Sequence, residues 1–118
     1  MKELNLPFEL GMDYEELELY LGEFNNFLNY IPCRNELLFS MDILNGIIIT
    51  LSKIQSESIT NLLSGLLGNF QTISESEYTL HTYKTGKFTL CVIMIGDEIK
   101  IVLSNKIQVI QKLLLSLI

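Results

Sequence analysis

The chain has 118 residues, enough for one domain to bury roughly two-thirds of its unfolded surface without disulfides or metal. It is 48% hydrophobic, yet its apolar runs (Ile47 to Ile49, Leu90 to Ile95, Leu113 to Leu115) fall far short of the ~20 residues of a membrane span. All of the net charge of −6 sits on residues 1–24, where seven acids face Lys2, and no basic stripe exists to neutralise phosphates, which argues against nucleic acid as a partner.

In chain order, Leu4, Leu6, Phe8 and Leu10 alternate with Asn5, Pro7 and Glu9. This period of two predicts an extended arm over residues 1–12, with Pro7 keeping it at an edge or out of any ladder. The arm lies over the domain's own apolar surface or over that of a second protomer. Asp13 and Glu16 then form a capping-box pattern, with the domain proper running from residue 13 to 118. Leu17, Tyr20, Leu21, Phe24, Phe27, Leu28 and Ile31 recur at helical spacing, and Pro32 closes this first helix. Asn35 to Met41 and Gly46 to Leu51 read as two strands of a hairpin, with Asn45-Gly46 as turn chemistry and Ile47-Ile48-Ile49-Thr50 as a β-branched run.

The middle helix, Glu57 to Phe70 with Ser56 as N-cap, carries the stripe Ile59, Leu62, Leu63, Leu66, Leu67, Phe70. Its other face holds Asn61, Ser64, Gly65 and Gly68. A glycine inside a helix costs about 0.8–1 kcal/mol against alanine, so a face of small residues implies close approach of another backbone; the plain alternative is that Gly68 ends the helix and Gly65 is tolerated. Strands follow at Tyr78 to Lys84, Lys87 to Ile95 and Glu98 to Leu103, separated by Thr85-Gly86 and Gly96-Asp97. A helix over Lys106 to Ile118 closes the chain, with Ser104 as its N-cap.

No reaction is legible in these residues. The single histidine, His81, has no Ser, Cys or carboxylate assigned to it by spacing, so no catalytic residue is named. Cys33 and Cys91 lack the paired spacing of a disulfide or zinc site, and Glu75 and Glu77 lie in a polar loop, so neither metal nor cofactor is expected. With no secretory pattern in Met1 to Asn5, the expected location is cytoplasmic, with reduced thiols.

The order of elements (α-β-β-α-β-β-β-α) resembles the roadblock/dynein light chain domain family, including its bacterial MglB-type regulators. The likeness covers residues 13–118 and is carried by Leu28-Asn29-Tyr30-Ile31-Pro32, by Ser40-Met41-Asp42 through Asn45-Gly46-Ile47-Ile48, and by the last three strands with their helix. Cys33 departs from the family, where a glycine commonly follows the proline, and the arm is additional. The resemblance implies an α+β fold: a five-stranded antiparallel sheet with the middle helix on one face and the terminal helices on the other. It further implies a non-enzymatic scaffold or regulator of Ras-like small GTPases, paired with itself or a related roadblock domain through its third strands and middle helices. Carried onto this chain, that interface is Asn61, Ser64, Gly65 and Gly68 with Tyr78, Leu80 and Thr82. An alternative is a profilin-like or longin-like sensor module that binds a small ligand or peptide in an apolar groove.

Overall fold

The β-branched run at the middle of the chain enters a strand buried on both faces, and the rest of the sheet is built outward from it. The computed structural model describes residues 4–20 and 26–117. Its strands are β1 (Arg34–Ser40), β2 (Ile43–Ser52), β3 (Gln71–Ser74), β4 (Tyr78–Lys84), β5 (Thr89–Ile95) and β6 (Glu98–Ser104). They form one antiparallel sheet in the order β1-β2-β6-β5-β4-β3. Three α-helices pack on it: α1 (Tyr14–Glu18), α2 (Ser56–Leu67) and α3 (Ile107–Leu117). The α+β class and the antiparallel sheet match the expectation, but the sheet has six strands where five were expected.

The sixth strand is β3, whose four residues are all exposed. A strand that buries neither face leaves no alternation for sequence to show. The first helix is also shorter than its periodicity predicts. Asp13 accepts the Glu16 N–H at 2.8 Å, as a cap should, but the helix ends at Glu18. Phe27 and Tyr30 exchange backbone hydrogen bonds around Leu28 and Asn29, whose φ values are +50° and +73°, so the expected last turn of helix is a tight reverse turn. Leu21 and Phe24 of the expected stripe lie outside the described residues.

The first hairpin turns earlier than its glycine suggests. Met41 and Asp42, with φ of +53° and +65°, connect β1 to β2, and Asn45-Gly46 lies inside β2. Gly46 serves a different purpose: a Cβ there would stand 3.1 Å from Leu38 Cδ1 and 3.3 Å from Val109 Cγ1. Its bare backbone lets α3 sit close to the sheet. Ser104 is the last residue of β6 and not the cap of α3; its hydroxyl donates to Asn45 O and accepts the Lys106 N–H at 3.1 Å, fastening the strand exit.

Two apolar layers result. On one face Leu4, Leu6 and Phe8 of the arm, Leu17 of α1, and Ile59 and Leu63 of α2 share a core with Ile47, Ile49, Tyr83, Leu90 and Ile101. On the other, α3 covers Ile48, Leu80, Cys91, Ile93 and Val102. Helices therefore occupy both faces, but α1 lies on the side of α2 and not with α3, because the arm carries it there: Gly11 N–H donates to Leu44 O and Leu44 N–H to Met12 O. The arm covers its own domain.

Candidate functional site

α2 leaves β2 through a 3₁₀ turn at Lys53–Gln55, where the Lys53 N–H donates to Asp97 O at 2.8 Å. Its inward side chains, Ile59 and Leu63, are fully buried. It ends at Leu67, where Gly68 takes φ +91° and returns its N–H to Ser64 O at 3.0 Å. That left-handed cap is the positional reason for Gly68.

The four residues expected on the small face of α2 divide between two environments. Asn61, Gly65 and Gly68 are exposed, and nothing stands within 4 Å of where a Gly65 Cβ would be. Ser64 turns inward, its hydroxyl 3.2 Å from the Tyr83 hydroxyl, which also donates to Thr60 O at 3.2 Å. Leu62 and Leu66, at 38% and 46% exposed, flank Gly65 and complete an apolar outer surface. Periodicity alone predicts both to be part of the buried stripe. The helix ends three residues before the expected Phe70, and the five apolar positions that remain on it make a stripe wider than a single contact with a sheet can cover, which is the available signal.

Tyr78, Leu80 and Thr82 lie on the opposite sheet face. Leu80 is buried under α3, Tyr78 is half-buried beside it, and Thr82 Oγ1 stands 3.7 Å from Cys91 Sγ. The strand they share is internal, bonded to β5 on one side and to β3 on the other. The edge expected at Tyr78 to Lys84 is therefore occupied, and the sheet's outer edge on this side is Gln71–Ser74.

The two sheet edges differ in chemistry. β1 carries an Arg34 to Glu36 ion pair at 3.2 Å and a register shift between Leu38 and Phe39, both of which hinder pairing with another strand. β3 has no charged residue and a regular register, so its only guard is shortness.

Phe70, His81, Thr72 and Tyr83 fasten β3 to the sheet. His81 sits directly opposite Thr72, with Nδ1 3.0 Å from Thr72 Oγ1, and Phe70 meets the His81 ring edge-on at 4.6 Å and the Tyr83 ring at 5.1 Å. Burial holds the imidazole below its ordinary pKa of 6.5. Burial also raises the Tyr83 phenol, which the Ser64 bond offsets in part, and raises the Cys91 thiol, opposed by Thr82 and by the Lys84 charge. His81 is paired here with a hydroxyl and a ring, an arrangement that latches an edge strand. Both cysteines are free, Cys33 exposed and Cys91 buried. Among the described residues no group of three or more His, Cys, Asp or Glu is placed to hold a metal ion, and no helix is long and apolar enough to cross a membrane.

The latch makes stability pH-dependent with a definite sign. Because the folded state lowers the pKa of His81, the unfolded chain takes the proton first. The contribution is complete above 6.5 and declines as pH falls through 6.5 toward the folded value. His81 is the only histidine, so His81→Gln is expected to flatten the melting temperature between about pH 7.5 and 5.5, where the parent chain declines; an unchanged slope would remove His81 as its cause.

No family model matches the chain, and no curated protein or solved structure matches it either.

Proposed function

We propose that this chain is a non-catalytic assembly module that pairs with a second copy through the outer surface of α2 and the edge of β3, and in that form binds or regulates a Ras-like small GTPase. The observation that carries the assembly half is the open apolar surface of Leu62, Gly65 and Leu66. α2 lies on the sheet face of Tyr83, which bonds Ser64 and the Thr60 carbonyl, and the chain passes from α2 through Phe70 into β3. In a two-fold arrangement each β3 would pair with its copy while the two α2 helices approach across their glycines. The partner class rests on the resemblance to the roadblock family.

Gly65→Glu tests the surface without a folding penalty, since the new side chain enters open space and glutamate favours a helix more than glycine does. Gly68→Glu is a poorer probe, because a φ of +91° strains any side chain. Size-exclusion with light scattering at tens of micromolar is expected to give a dimer for the parent chain and a monomer for Gly65→Glu and Leu66→Glu. A parent monomer would remove the assembly half. Affinity capture from native extract, reading co-purifying small GTPases that Gly65→Glu loses, tests the other half.

A further inference from the structure

Away from α2, on the opposite face, α3 covers the middle of the sheet and leaves Ile73 and part of Tyr78 in the open. α3 crosses diagonally, from Val109 beside Gly46 to Leu114 and Leu115 beside Tyr78. Cross-strand register runs Arg34, Thr50, Lys100, Ile93, Leu80, Ile73 in one row and Ser52, Glu98, Ile95, Tyr78 in the next. Where α3 does not reach on the β2 side the rows are polar, and Lys100 Nζ donates to Thr50 Oγ1 at 3.1 Å. On the β4–β3 side they stay apolar. Ile73 is 51% exposed there, and a groove of 540 Å³ opens between α3 and β4, lined by Tyr78, Gln111, Leu114 and Leu115. Leu115 is 83% exposed, on a helix whose other leucines face the sheet.

Carboxylates gather at one end of this groove, and Lys112, exposed on α3 next to Gln111, is an opposing charge. The end of the sheet beside Tyr78 carries Glu75 and Glu77 in the β3–β4 turn, Asp97 in the β5–β6 turn and Glu98 at the start of β6, all exposed.

We propose that this groove receives a basic amphipathic helix of a partner protein, laid alongside α3 with its apolar side on Tyr78, Leu114 and Leu115 and its cations toward the two acidic turns. Apolar contact supplies the affinity and the carboxylates select the sign of the partner. The surface is separate from α2 and does not depend on pairing there.

The probe is a synthetic leucine–lysine helix of about 18 residues, long enough to hold helical form, followed by fluorescence anisotropy. Saturable one-to-one binding is expected. It weakens about tenfold or more in Leu115→Glu and in the double variant Glu75→Lys with Glu77→Lys, and is unchanged in Gly65→Glu. Leu115 is exposed, so its replacement leaves the fold intact. Equal binding of a leucine–glutamate helix, or binding indifferent to Leu115→Glu, overturns the proposal. So does light scattering in which Leu115→Glu converts a dimer to a monomer, since the occupant would then be a second copy.

Discussion

Phe8→Ala is expected to lower the melting temperature by about 12–20 °C. Phe8 is fully buried in the core that α2 and the sheet share, although it sits in a bend of the arm and in no helix or strand. Truncating a buried phenylalanine costs ~3–5 kcal/mol, through lost transfer energy and the cavity left behind. For 118 residues, 1 kcal/mol corresponds to about 4 °C. Leu4 and Leu6 share that core and enter with the same arm, so loosening Phe8 loosens them as well. Glu9→Ala, at an exposed neighbouring position, is the control and should fall within about 0.5 kcal/mol of the parent. Thermal unfolding by circular dichroism decides it: a Phe8→Ala shift as small as that of Glu9→Ala would mean the arm is not seated in the core in solution.

Tyr83→Ala is expected to cost a similar ~3–5 kcal/mol, and Tyr83→Phe about 1 kcal/mol. The two variants separate what the residue does. Its ring is fully buried and tilted against Phe70, while its hydroxyl reaches Thr60 O and Ser64 Oγ on α2. Phenylalanine keeps the ring contact and loses only the hydroxyl's bonds to the helix. Alanine removes the support of Phe70, which also packs on His81 and so holds the chain entering β3. Hydrogen exchange should show the Gln71–Ser74 amides losing protection in Tyr83→Ala well before the β5 and β6 amides, and retaining it in Tyr83→Phe. Uniform loss across the sheet would show that Tyr83 supports the core as a whole and not the β3 latch.

Wherever pattern and turn chemistry agree over a short span, the sequence was readable. The β4, β5 and β6 run, with Gly96-Asp97 between the last two, was legible because each strand is bounded by a tight turn. α2 and α3 were legible because their apolar positions repeat at helical spacing. The surface of α2 is legible only in part: the pattern puts Gly65 on the exposed side of the helix, where it lies, but it predicts Leu62 and Leu66 inward, and Tyr78, Leu80 and Thr82 lie on the other side of the sheet from α2. Helical period gives an azimuth for each side chain, but how much of that azimuth is covered depends on what packs against it.

What the sequence determined by itself is therefore local: an α+β chain, the extents of most strands and of two helices, and an acidic leading segment. Tertiary structure decided three other matters. It placed β3 at the edge, by pairing four exposed residues with β4 where local pattern carries no signal. It seated Leu4, Leu6 and Phe8 in the core that lies over β2, a contact across some forty residues that no window of sequence contains. And it set α3 diagonally across its face through the missing Cβ of Gly46, which fixed which rows of the sheet are covered and left the groove beside Leu115 open. The reason is the same in each case: propensity and periodicity are summed over neighbours in the chain, whereas coverage is decided by elements that meet only in space.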